Sequence, residues 1–141
     1  MTVEAGAVRR TNWLNIGLWV AQVLLAVMYV MAGWMKLSQP MAGLAAMGMG
    51  YATTLPELFV RFVGLMEVLG AIGLILPAAT RILPFLTPLA ALGLTIVQVA
   101  AIILHATRGE TAMTLPINLV LLALSLFVLW GRTRKRVISP R

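Results

Sequence analysis

Four stretches of this chain are each about as long as a bilayer is thick and nearly free of charge, and no other feature constrains the fold as much. A hydrocarbon core of ~30 Å takes roughly 20 apolar residues in a helix. Leu14–Met35, Glu57–Leu76, Leu83–Leu104 and Ala112–Trp130 meet that requirement. Composition agrees: 61% of the 141 residues are hydrophobic and only 11% charged, against about 25% charged in soluble domains. Too few polar residues remain to clothe a water-soluble surface. The sequence therefore predicts an all-α integral membrane four-helix bundle, one domain over residues 1–141 with no room for a separate soluble module.

Helix punctuation supports these boundaries. Pro56 stands where the second span takes its first turn, and Pro77 is read as closing that span. Pro84 falls in the opening turn of the third span and Pro116 near the start of the fourth, where a missing N–H costs least. Pro88, one turn deeper, is placed to bend the third helix. Trp13, Trp34 and Trp130 lie near span ends, as interfacial aromatics do. The first run is too long for the apolar part of a cleavable signal peptide, and no small-x-small site follows Trp34.

Basic residues set the expected orientation. Arg9, Arg10, Arg81, Arg132, Arg134, Lys135, Arg136 and Arg141 fall on one side, against Lys36 and Arg108 on the other, with Arg61 inside a span. The positive-inside rule puts the first group, and both termini, on the cytoplasmic side of the membrane. The basic C-terminus is read as a topology signal and a contact for anionic lipid headgroups, not for nucleic acid. Without cysteine, thiolate metal sites, cysteine nucleophiles and dithiol relays are excluded, so any redox role needs a bound cofactor or a partner subunit. A lone histidine gives no reason to expect a metal.

The connections differ. Pro77–Leu83 and Ala106–Thr111 are tight turns, which make the second, third and fourth spans antiparallel neighbours. The outer connection Leu37–Leu55 is longer, too short to span and too apolar to float in water. A short extra helix on the outer face of the bundle is expected there.

Lipid solvates no polar group, so polar residues within a span must face another helix or a cavity. Gln22, Tyr29 and Lys36 recur every seven residues in the first span, as do Gln98 and His105 in the third and Asn118 and Ser125 in the fourth. Seven residues is nearly two turns, so each set shares one helix face. The bundle is expected to be polar inside and apolar outside. Glu67, about ten residues and so roughly 15 Å into the second span, lies near mid-membrane. A charge there costs about 2.5–3.5 kcal/mol even on permissive insertion scales. Arg61, six residues earlier, is rotated some 120° from it, which leaves Lys36, His105 or an amide as partners. Glu67, His105 and Lys36 are the candidate catalytic groups, and Gln22, Tyr29, Arg61, Gln98 and Asn118 the candidate lining of a ligand site. For the amides, hydrogen-bonded glue between helices is the plainer role, and for Lys36, snorkelling to the interface. Gly64, Gly70 and Gly73 suit close helix packing or a homodimer face.

Several local patterns come together in order: Gly33-Trp34-Met35-Lys36-Leu37 at the end of the first span, Arg61-Phe62-Val63-Gly64-Leu65-Met66-Glu67 in the second, His105-Ala106-Thr107-Arg108-Gly109-Glu110 after the third, and Pro116-Ile117-Asn118 in the fourth. From the first span to Arg132 the chain resembles the DoxX-like membrane proteins, in particular their short bacterial members. That resemblance implies a four-helix bundle with both termini inside. Some relatives are named as subunits of thiosulfate:quinone oxidoreductases or of membrane oxidoreductase assemblies, and distant vertebrate relatives as assembly chaperones for ligand-gated channels. Three function classes follow: a subunit holding a quinone or other lipophilic molecule beside a redox partner; an assembly factor or scaffold without ligand; and a small isomerase or cyclase using Glu67 as acid or base.

Overall fold

The computed structural model describes residues 12–141; Arg9 and Arg10, expected at the cytoplasmic side, lie outside the described residues. The first helix, α1 (Trp13–Ser38), is started by Asn12, whose side chain accepts the Asn15 N–H and so satisfies one of the amides a helix start leaves unpaired. It stops where Gln39 turns extended ahead of Pro40. The expected short helix is present as α2 (Met41–Ala46), followed by a 3₁₀ turn at Gly50–Thr53. Leu44 and Ala52 of this connection pack with Val60 in a small buried cluster, bordered by Met35, Met41, Met49, Tyr51 and Leu55. The connection is apolar because it caps one end of the bundle.

The remaining spans are α3 (Glu57–Thr80), α4 (Leu86–Thr107) and α5 (Thr111–Trp130), the last running into a single π turn at Gly131–Lys135. All four long helices are apolar enough to cross a membrane. Packing runs α1 on α3, α3 on α4, α4 on α5 and α5 back on α1. Outer faces carry exposed apolar side chains such as Val20, Leu24, Leu69, Ile96 and Val120, while Ala21, Leu25, Tyr29, Ala71, Leu74, Ala91, Leu94 and Val128 form the core. In lipid that core is held by close packing and hydrogen bonds, because acyl chains are as apolar as leucine.

Two proline readings are corrected. Pro77 does not close α3, which continues to Thr80 and ends on Arg81 in the left-handed conformation (φ 59°). A proline has no N–H for the carbonyl four residues back, and that carbonyl, of Gly73, instead accepts the Thr87 hydroxyl of α4 at 3.0 Å. The neighbouring helix supplies the missing donor, so the helix survives. The third span begins at Leu86 rather than Leu83, because Arg81 and Leu83 (φ 49°) both turn left-handed. Pro84 thus precedes α4, and Pro88 falls in its first turn, where no intrahelical bond is lost.

The seven-residue stripes are inside, and they are longer than the sequence suggested. Residues 15, 22, 29 and 36 line one face of α1; 60, 67 and 74 one face of α3; 91, 98 and 105 meet the bundle from α4, with Pro84 in register just before it; and 118, 125 and 132 from α5 and its π turn. A steady seven-residue repeat is the seam of left-handed helix packing. Contacts assign loops to ends. Arg108 donates from the α4–α5 turn to Thr54 beside α3's start at 2.9 Å. At the opposite end, the Arg141 amide donates to the Arg81 carbonyl at 2.9 Å.

Candidate functional site

Where α1 crosses α3, Gly33 and Gly64 let the backbones touch. A Cβ at Gly33 would lie 2.6 Å from the Gly64 carbonyl oxygen, and one at Gly64 would lie 2.7 Å from Lys36 Cβ. Lys36 therefore starts level with Gly64 and runs down the seam. Its Nζ meets both carboxylate oxygens of Glu67, at 3.0 and 2.9 Å, with the side chains 11% and 7% exposed. The snorkelling reading is overturned: the ammonium turns inward, because the cap formed by Met41–Thr53 covers the route out and a carboxylate waits one turn below.

Arg61 is corrected as well. It lines no interior but clamps the end of α1, donating from Nη1 to the carbonyls of Lys36 (2.7 Å) and Gln39 (2.6 Å) and from Nη2 to Glu57 (3.1 Å). Terminal carbonyls of a helix have no partner within it. This clamp fixes the backbone of the residue that bears the buried ammonium.

Above the pair lies a ring of polar groups. The ring of His105 stands edge-on to Tyr51, centroids 6.3 Å apart, and its Nδ1 donates to Glu110 at 2.8 Å while Arg108 Nε donates to the other oxygen at 3.0 Å. These hydrogen bonds, from His105 first and then Arg108, hold the Glu110 carboxyl below its ordinary value. Burial pushes the Tyr51 phenol up, against the pull of the nearby Lys36 ammonium. Tyr51 thus joins Lys36 and Glu67 to His105, and the three candidate catalytic residues share one site at this end of the bundle. Tyr51 and Glu110 escaped the sequence reading. Tyr51 lies in a loop with no period to mark it; Glu110 had only its place five residues after His105.

Below the pair, at the level of Tyr29, a chain of three hydrogen-bonded side chains crosses the bundle. The Tyr29 hydroxyl donates to Gln98 Oε1 at 2.9 Å, and Gln98 Nε2 donates to Asn118 Oδ1 at 2.8 Å. The Tyr29 donor fixes the orientation of both amides. Asn118 Nδ2 is left buried without an acceptor among the described residues. Since Gly33 packs on Gly64 and Val68, Glu67 is about one turn, some 6 Å, above Tyr29.

Gln22 does not belong here. Two turns farther along, it donates to the Leu74 carbonyl (2.5 Å) and accepts from Arg132 Nε (2.7 Å). It is part of a separate cluster at the basic end. Arg132, 2% exposed, was hidden among the basic residues of the tail, although it continues the spacing of Asn118 and Ser125.

The model of the DoxX-like family matches residues 20–128. The chain belongs to the DoxX-like family. No curated protein matches it, and no solved structure does. The matched region takes in Lys36, Glu67, Gln98, Asn118 and the His105–Glu110 turn, so this multi-pass DoxX-like protein carries its outer site within the family's shared part. Asn15 and Arg132 lie beyond it. Gly64, Gly70 and Gly73 face helices of the same chain, against Lys36, Leu94 and Ala90 respectively.

Proposed function

We propose that this DoxX-like protein is a membrane subunit that holds a lipophilic molecule with a hydrogen-bond-accepting carbonyl, of the quinone class, in the outer half of its bundle beside a redox partner. The basic end faces the cytoplasm of a bacterial cell, as its charge bias favours. One observation carries the reading: Asn118 Nδ2, buried at the end of the Tyr29–Gln98–Asn118 chain, has no acceptor. An unmet donor in a low-dielectric interior costs about 1–3 kcal/mol, and a ligand carbonyl removes that cost. The Lys36 ammonium one turn above supports a second acceptor, with the Tyr51 and His105 rings as its roof.

The test is binding of a short-tailed ubiquinone analogue to the protein in lipid nanodiscs. Retention of one quinone per chain, weakened about tenfold in Asn118→Ala, is the expected result, a factor equivalent to one good hydrogen bond. Absence of retention by the parent protein, or equal retention by the variant, overturns the reading. A scaffold without ligand draws support from the mutual pairing of Lys36 with Glu67 and of Gln22 with Leu74, and it expects Glu67→Gln to leave assembly of a partner unchanged.

A further inference from the structure

At the basic end, Arg132 is enclosed by neutral acceptors only. Its Nε donates to Gln22 Oε1 at 2.7 Å, and its Nη1 to Asn15 Oδ1 at 2.8 Å and to the Arg136 carbonyl at 3.2 Å. The guanidinium lies over the Trp19 ring, 5.5 Å from its centre. Nη2 is buried and has no partner among the described residues. Among the described residues the acidic side chains are Glu57, Glu67 and Glu110, two at the opposite end and one bound to Lys36. A buried cation without a counter-charge is strongly unfavourable, and no described side chain supplies one here.

The surroundings indicate which anion. Arg132 lines a cleft of about 360 Å³ with Pro84, Phe85, Pro88, Val137 and Ile138, and Thr133 is the one other polar side chain in a mostly apolar lining. Around it stand Arg81, Arg134, Lys135, Arg136 and Arg141, all exposed. Beyond Arg136 the tail over the cleft is tied down through Arg81, which donates to the Ser139 carbonyl at 2.8 Å and accepts the Arg141 amide at 2.9 Å. An apolar cleft with a guanidinium and a basic rim fits an amphiphile whose head is a phosphate oxyanion. Guanidinium donors match phosphate oxygens in pairs, and anionic headgroups collect at such basic rims.

We infer that Arg132 and this cleft form a binding site for the headgroup phosphate of an anionic phospholipid, its glycerol and upper acyl segments lying against Phe85, Val137 and Ile138. Arg132 and the tail lie beyond the family-matched region, while Phe85 and Pro88 lie within it; the site does not depend on the quinone reading. Protein stripped of lipid in nonionic detergent is titrated with phosphatidylglycerol, phosphatidylcholine or inorganic phosphate, and retained molecules are counted by native mass spectrometry. The site predicts one phosphatidylglycerol per chain, held about tenfold more tightly than phosphatidylcholine, and no displacement by inorganic phosphate. Arg132→Gln should lose that preference; Arg134→Gln should largely keep it. Ile138→Glu lies in the tail outside the helices and puts a carboxylate into the cleft that Arg132 lines, so it should exclude the anionic lipid at unchanged helical content even if Arg132→Gln fails to fold. Equal retention of both lipids, an unchanged preference in Ile138→Glu, or displacement by inorganic phosphate overturns the assignment.

Discussion

Lys36 holds both carboxylate oxygens of Glu67, at 3.0 and 2.9 Å, by pointing toward mid-membrane from a position where lysines usually reach outward. Two features fix that choice: Gly64, which leaves room for the stem of Lys36, and Arg61, which ties down the Lys36 carbonyl at 2.7 Å. The ion pair is a consequence of how α1 crosses α3.

Breaking this pair on one side leaves the other charge buried. Lys36→Met or Glu67→Leu alone should destabilise the bundle by about 3–5 kcal/mol, whereas the double variant should recover most of the loss. Reversible unfolding in mixed micelles measures both. Additive losses in the double variant mean the pair is not coupled.

The crossing itself can be tested at three glycines. Gly33→Ala places a methyl 2.6 Å from backbone oxygen, which must force α1 and α3 apart and cost about 1–3 kcal/mol. Gly70→Ala meets the Leu94 side chain at 2.7 Å and should cost less, since a side chain yields more easily than backbone. Gly93→Ala meets nothing within 4 Å and should be neutral or stabilising by up to about 1 kcal/mol through helix propensity.

For the mid-bundle chain, Tyr29→Phe removes the donor to Gln98 and should cost about 0.6 kcal/mol, near the average for hydrogen bonds between membrane helices. Gln98→Leu strands both Tyr29 and Asn118 and should cost more. A larger loss in Tyr29→Phe than in Gln98→Leu contradicts this connectivity.

The outer turn should respond to acid. Glu110 is held below its ordinary carboxyl value of 4.5 by His105 and Arg108. A depressed carboxyl contributes stability that is present above the ordinary value and lost as pH falls through the lower folded one. Protection of the His105–Glu110 turn from hydrogen exchange should therefore be steady at neutral pH and decline only below about 4.5. In Glu110→Gln that acid-dependent step should vanish, and a step that persists assigns it to another carboxyl.

Much of the fold was legible in local pattern. Span lengths, the buried faces of Gln22, Tyr29, Gln98 and Asn118, and the amphipathic loop helix all follow from periodicity and apolar content, which each segment carries by itself. Applied to the end of each helix, the same seven-residue rule reaches Asn15 and Arg132. Arg132 was obscured because neighbouring basic residues give an arginine there an ordinary reading as a topology signal. Pro77 misled for a different reason: the hydroxyl that rescues its helix comes from Thr87, on another span. Tyr51 carried no periodic mark, since a cap over a bundle end obeys no helix period.

Four apolar spans with polar faces turned inward can be read from the residues in order, because hydropathy and helix period are properties of consecutive residues. Which side chains meet is a matter of how the helices pack. Lys36 took Glu67 and Arg61 took a helix end; Gln22 left the outer site for Arg132. Those pairings depend on how closely two backbones approach and how far each helix is displaced along its neighbour. Both are set by glycines and side-chain volumes on different spans acting together.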